Sequence, residues 1–485
     1  MIRLFLLLVL CCRTLLCVGN IDTSITLNQP FDGYRGIWYS NQPSGDEYVY
    51  KYSGGLGTYP ANHYPFSVYA PKVNKTFFCY GGTDTAGKTL LHMVSYFDHK
   101  TGKVPRPVLV MDKNTNDAHD NPVLNIDAQG YIWLFSTSHG TSTVSYVHRS
   151  KQPYDIAEFE RIPVSKQVNG STKPLDNFSY LQAWVVPDSG FLNLFTHYDR
   201  KVIPQQPSKP RRTISYMKSM DGRSYGEWMD IATIEEGHYQ TSGQWGKKIA
   251  TSFNYHPIKE KENGLNYRTN LYYVETADFA NSWQTATGET IQLPVNSIQH
   301  AALVKDYARE GKLVYINDLA FDAKGRPIIL YITSNGYEAG PKSGPQEWFT
   351  AHFNGADWEI NKLTESDNNY DMGSLYVEAD GTWVVVGPTA TGPQAFNTGG
   401  ELVQWESADQ GKTWKSKELT ADSRFNHAYP RKPVNVHSGF YSFWADGHGR
   451  QPSQSKLYFS DRKGRVYQLP VQMKKAFEKP RRVKK

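Results

Sequence analysis

A strand, a tight polar turn and a second strand recur seven times along this chain. The turns fall at Asn74, Gly130, Gly190, Gly246, Gly325, Gly381 and Gly439. Successive copies lie 56 to 60 residues apart, except for one interval of 79 between Gly246 and Gly325. The flanking runs are short, β-branched and aromatic, as at residues 131–135, 328–332 and 383–386, and helical periodicity is nearly absent. Hairpin repeats of this length mean four-stranded blades stacked about an axis. The expected fold is therefore all-β, a seven-bladed β-propeller of four-stranded blades. The long interval predicts an insertion at residues 258–264 and around 306–311. Residues 407–414 form an Asp-box, with Asp409 and Gly411 shaping a turn and Trp414 packing between blades. Degenerate copies lie at residues 219–222 with Trp228 and 276–278 with Trp283. These boxes support the fold and carry no chemistry. Two β-sandwich domains are the competing architecture. The even period and the lack of a Pro/Gly/Ser-rich linker count against it.

Residues 1–20 read as a signal peptide: Arg3 is the positive start, residues 4–10 the apolar stretch, and Val18 and Gly19 the small-residue exit. Arg13 interrupts that stretch, and no later run is long or apolar enough to span a membrane. A lipid anchor at Cys17 is the weaker reading, because Leu16 stands where a small residue belongs. The expected location is periplasmic or secreted. Cys11, Cys12 and Cys17 lie in this leader, so Cys79 stands alone in the mature chain and the core must hold the fold without a disulfide. Net charge is +6, much of it in residues 474–485, which read as a solvated basic tail following a propeller over 21–473. The near-neutral body argues against a nucleic-acid binder. The expected partner is a polysaccharide or oligosaccharide, with the protein a monomer. The 32 Tyr and 12 Trp suit strands and also the stacking of rings on sugar faces.

In an antiparallel blade, residues just before the first strand and just after the second gather at the same mouth. Blade two places Asp117, His119, Asp120 and His139 there. Blade three adds Tyr180, Gln182, His197 and Tyr198, and blade four His238, Tyr239, Asn254 and His256, with Arg268 opening the next strand. His63, His427, Tyr429 and Arg431 come from blades one and seven. Of 14 His in the chain, the seven at 63, 119, 139, 197, 238, 256 and 427 fall at such positions. A lone histidine at a strand end usually packs; several converging ones point to a polar site. The set is rich in His, Tyr and Arg and offers no obvious pair of flanking carboxylates, which a glycosidase needs. It suits β-elimination at a uronate, where cationic groups stabilise the carboxylate and His or Tyr moves protons. Metal binding by His119, His139 and His256 remains open but lacks a tight ligand motif. No cofactor is required by this chemistry; a structural Ca2+ in the axial channel is a further expectation.

The stretches 117–122, 237–240, 253–257 and 268–273 resemble those of BNR-repeat propellers, a group that includes the ulvan lyases and enzymes acting on rhamnosyl-glucuronate caps of arabinogalactan. Segments 33–38 and 52–57 look closest to the latter. The resemblance implies a catalytic pair at His119 and Tyr180, an assisting His139 and a further site tyrosine, Tyr239. It also implies a carboxylate-neutralising Arg at the end of the second strand of blade three, where this chain has Thr196 and His197. That role then falls to His197, Arg268 or His139, with His256 beside them as a substrate-binding residue. The leading expectation is an exo-acting lyase on the α-L-rhamnosyl-(1,4)-D-glucuronate linkage. A second is α-L-rhamnosidase hydrolysis through a single His, which His63 resembles. A third is a non-catalytic glycan-binding propeller.

Overall fold

In the computed structural model, residues 26–56, 63–85, 87, 89–203, 206–258 and 266–483 are described, and the leader lies outside them. The described chain is all β apart from short 3-10 turns. Its blades are sandwiched by neighbours on both faces, so inner strands such as Leu313–Phe321 and Asn426–Arg431 are buried along their whole length rather than alternating. Residues 328–332 and 384–386 are fully buried.

Six of the seven hairpins are where the repeat places them. Ser67–Ala70 pairs with Lys75–Gly82, Pro122–Ile126 with Ile132–Ser136, and Ser179–Val186 with Gly190–Ile203. Gln240–Trp245 pairs with Lys248–Tyr255, Leu313–Phe321 with Pro327–Ser334, and Ser374–Val377 with Trp383–Ala390. Six of the seven turn residues adopt positive φ, from +51° at Asn74 to +109° at Gly190, the region where Gly and Asn turn a chain tightly. The ring closes where the amide of Tyr69 donates to the Val434 carbonyl (2.9 Å) and that of Val434 to the Ser67 carbonyl (2.9 Å).

Seven uniform four-stranded blades are not what forms. Counted by sheets of three or more strands, the propeller is eight-bladed. Three of these sheets carry five or six strands, and the eighth is a three-stranded sheet of Ser165–Val168, Ser171–Pro174 and Ser224–Tyr225. The repeat could not announce it, because it has no inner hairpin: Ser165–Val168 pairs in parallel with a strand nearly sixty residues away. The seventh repeat is also shifted. Its first strand is Asn426–Arg431, paired with Ser442–Gly447, and residues 434–436 serve ring closure instead. The 79-residue interval holds extra strands, Thr290–Ile291 and Leu303–Lys305, which widen the fourth sheet to six. The basic tail is paired: Phe477–Glu478 joins Val104–Pro105 and Arg481–Arg482 joins Val466–Gln468. In the Asp-box, Asp409 accepts from the Thr413 amide (2.9 Å), and the Trp414 indole donates to the Gly411 carbonyl (3.0 Å). No helix among the described residues is long and apolar enough to cross a membrane.

Candidate active site

The site is built on a tight turn. Asp117 caps the 3-10 turn Ala118–Asp120, its carboxylate accepting the His119 amide at 2.9 Å. The same oxygen receives His119 Nδ1 at 2.5 Å, and the other oxygen receives His139 Nδ1 at 2.7 Å. The two imidazoles stack with centroids 3.9 Å apart and planes 17° apart. A carboxylate oxygen only accepts, so both Nδ1 atoms carry hydrogen, and in a neutral His119 ring Nε2 presents the lone pair. The Tyr52 hydroxyl lies 3.3 Å from His119 Nε2. Burial works to raise the Asp117 pKa, but the hydrogen bonds from His119 and His139 more than offset it and hold the carboxyl ionised, below its usual range. Burial lowers His119 to about 4 against the pull of Asp117, so its ring is neutral near pH 7.

Tyr180 faces this pair edge-on, its ring 5.9 Å from His119 and 5.8 Å from Tyr239. It sits at φ +50° beside an irregularity in strand register between Ser179 and Gln182. For a tyrosine such a backbone costs about 1–3 kcal/mol and persists only where its surroundings enforce it. Burial drives the Tyr180 hydroxyl far above its ordinary pKa, so it stays protonated. Tyr239 leads to His256, 4.9 Å away, and Arg268 lies over the Tyr239 and Tyr315 rings at 4.7 and 4.8 Å. His256 is fully buried, and neither ring nitrogen has a hydrogen-bond partner among the described residues. Burial, then Arg268 and Arg212, keep it neutral.

Strand-end logic thus brings together His119, His139, Tyr180, Tyr239, His256 and Arg268. Four other expected residues play different parts. His63 is fully buried beneath His119, its Nε2 donating to the His119 carbonyl at 2.9 Å. His197 points away from the site, packing against Trp228 at 4.7 Å, because adjacent residues on a strand face opposite ways. Its neighbour Tyr198 faces His139 instead, at 6.4 Å. His238 and His427 are locked into packing: His238 between the Asn254 carbonyl (2.7 Å) and the Ile234 amide (2.8 Å), His427 under the Trp444 indole (2.9 Å).

One residue escapes the strand-end rule. Arg212 lies in the third strand of its blade, Gln206–Ser219, directly across from Tyr198. Its guanidinium is 5.3 Å from the Tyr198 ring and interacts electrostatically with Tyr239, Tyr198 and Tyr180. Gly237, at φ +151°, makes room for it: a Cβ there would stand 2.7 Å from the Arg212 carbonyl oxygen and 2.8 Å from its Cβ. Arg212 thus brings a cation beside Tyr198 from the strand that faces it.

Asp117, His119 and His139 also present ligand-type atoms within 4.8 Å of one another. His256 is not part of that group. A cavity of about 870 Å3 at the turn end of the blades, lined by Asp127, Trp245, Phe321 and Lys432, contains none of these groups.

Fold and site together define a propeller of the Asp-box class with a histidine–tyrosine–arginine mouth. A model described as a BNR repeat-containing family member matches residues 94–366, more than half of the chain, and this protein belongs to that family. It is 27% identical over 274 residues to "Ulvan Lyase-PL25" of Pseudoalteromonas sp. (strain PLSV), covering 50% of this chain and 51% of that one. It is 22% identical over 342 residues to an ulvan lyase of Nonlabens ulvanivorans, covering 63% and 66%. The chain spans about half the length of the first curated relatives it matches. Among solved structures, a polysaccharide lyase PL25 ulvan lyase bound to -[GlcA(1-4)Rha3S]- superimposes with TM-score 0.66 at 18% identity, covering 84% of this chain and 94% of that one. The polysaccharide lyase Uly1 gives 0.58 at 12%, covering 92% and 98%. At these identities the two structures speak to the fold alone.

Proposed function

We propose that this protein is a polysaccharide lyase that cleaves the bond to O4 of a uronic acid by β-elimination. The observation that carries the reading is the Asp117 carboxylate holding two imidazoles by Nδ1, with a protonated tyrosine and the partly buried Arg212 beside them. The relatives named ulvan lyases support the same reaction class. His119 Nε2 takes the C5 proton, and the C–H electron pair becomes the C4=C5 double bond as the C4–O4 bond breaks. Tyr180 protonates the departing O4. Arg212 pairs with the C6 carboxylate and stabilises the negative charge that builds on it as C5 is deprotonated. A neutral base and a protonated acid at the same pH follow from the shifts above. The usual hydrolase places two carboxyl groups across the bond; here Asp117 is engaged by two histidines, and Asp120 is fully buried against Thr143 at 2.7 Å.

The substrate proposed is the α-L-rhamnosyl-(1,4)-D-glucuronate linkage of an arabinogalactan-type polysaccharide, attacked from the chain end. The motivation is the similarity of segments 33–38 and 52–57 to the rhamnosyl-glucuronate group. The purified protein is incubated with gum arabic and, separately, with ulvan, following unsaturated-uronate absorbance and released rhamnose. Absorbance with free rhamnose from gum arabic is the expected result. Absorbance from ulvan alone would keep the lyase and replace the substrate. Rhamnose without absorbance would overturn the lyase in favour of hydrolysis at His63. His119→Ala and Tyr180→Phe are each expected to lower turnover by about 10²- to 10⁴-fold with the fold retained.

A further inference from the structure

We propose that Lys113 is a positioning residue for the His119–His139 pair, its side-chain nitrogen clamping both ends of the segment that carries His139. The inference rests on the lyase reading for its catalytic consequence and on geometry alone for the clamp. Lys113 follows the blade-one strand Val108–Asp112 and crosses into blade two, where it is 7% exposed. Its Nζ donates to the Thr137 carbonyl at 2.6 Å, the Val144 carbonyl at 2.5 Å and the Ser136 hydroxyl at 3.1 Å. Residues 137–144 therefore leave and rejoin the blade at one cation, with His139 between the two anchors.

The clamp reaches the other histidine as well. Thr137, whose carbonyl Lys113 holds, donates its hydroxyl to the Asn121 carbonyl at 2.9 Å and lies 3.1 Å from that of His119. Further along the segment, Thr143 donates to Asp120 (2.7 Å) and the Gly140 amide donates to Ser179, one residue before Tyr180 (2.9 Å). One cation thus ties together the backbones carrying the two imidazoles, and the segment it holds touches the residue beside Tyr180.

An ammonium has three N–H donors, and here three acceptors use them. Burial pushes Lys113 down to about 8, against the opposing pull of Asp120. The other groups facing it are His92 and His148, both lowered first by burial and in part by this lysine, and the Tyr146 ring at 5.3 Å, over which Arg161 also lies at 4.7 Å. Above pH 8 the neutral amine keeps two donors for three acceptors. One anchor is released, and the His139 segment loosens.

The test uses the full-length protein. Hydrogen-exchange protection of the Ser138, Gly140 and Ser142 amides is measured at pH 7 and pH 9 in the wild type and in Lys113→Met, alongside pH profiles of kcat and KM. Wild-type protection is expected to fall between pH 7 and 9, and Lys113→Met to lack it at both. At pH 7, kcat of Lys113→Met should be about 10- to 100-fold lower with KM within about twofold, and the wild-type decline above pH 8 should be absent from its profile. Unchanged protection in Lys113→Met, or an unchanged kcat and pH profile, would overturn the proposal. A wild type inert on every uronate would sink the lyase reading while the exchange data still decide the clamp. Should Lys113→Met fail to fold, the wild-type comparison between the two pH values decides it.

Discussion

Two pairs of histidines in this protein lie ring against ring, and they differ in what holds them. His119 and His139 lie 3.9 Å apart; His99 and His437, near the ring closure, lie 3.6 Å apart with their planes at 40°. The first pair shares the Asp117 carboxylate, so both Nδ1 atoms donate and the neutral His119 ring is left with a basic Nε2. The second pair has no carboxylate between its rings. His437 Nδ1 accepts the Gly439 amide at 2.9 Å, His99 Nε2 meets the Thr76 hydroxyl at 2.8 Å, and Tyr69 packs on both rings. Burial, then the neighbouring His437, lowers His99 to about 4, close to the value for His119. A depressed histidine pKa is thus a sign of burial in both places. What distinguishes the reactive pair is the group that fixes the tautomer and aims the lone pairs.

The comparison breaks most sharply at the carboxylate. Asp117→Asn offers one acceptor where the two imidazoles need two, and kcat should fall by about 10³- to 10⁴-fold, read from unsaturated-uronate formation. Retained turnover would mean that the shared carboxylate is not what separates the pairs. Arg212→Met comes next, with kcat/KM down by about 10²- to 10³-fold, since a preorganised charge partner is lost from the developing enolate. An equal loss on a substrate whose carboxylate is esterified would show that Arg212 acts through folding instead. The smallest effect belongs to the second pair. His437→Gln should leave turnover at pH 7 within about twofold and make the protein less sensitive to acid. Burial lowers His437, and burial with His437 beside it lowers His99 to about 4; a histidine whose folded pKa lies below its unfolded value contributes stability at and above the unfolded pKa of 6.5, and that contribution is lost as pH falls below it. The measurement is Tm at pH 7 and pH 5, and a wider gap in His437→Gln than in the wild type would contradict this account.

Much of the site is legible in the amino-acid sequence, because antiparallel hairpins of known period put their strand ends at one mouth. That argument places His119, His139, Tyr180, Tyr239, His256 and Arg268 together. It cannot choose between His197 and Tyr198, which are adjacent and face opposite sides of Gly190–Ile203. Nor can it find Arg212, which lies mid-strand and enters the site only through its register with Tyr198. The available signal was Gly237, two residues before Tyr239, where close backbone approach demands the absence of a Cβ. The role of Asp117 is foreshadowed by its two-residue spacing from His119 in a polar turn. Its hold on His139 is a contact across 22 residues.

Hairpin period, turn chemistry and apolar runs are local properties of the backbone, so the sequence by itself determined an all-β propeller with a histidine-rich mouth. The number of sheets depended on the parallel pairing of Ser165–Val168 with Ser224–Tyr225, and the seventh repeat on ring closure through Val434. The facing of Arg212, the burial of His63 and the clamp of Lys113 likewise depended on neighbours distant in the chain. Only the tertiary structure decided these. Side-chain direction is set by strand register, and register is fixed by all the blades packing at once.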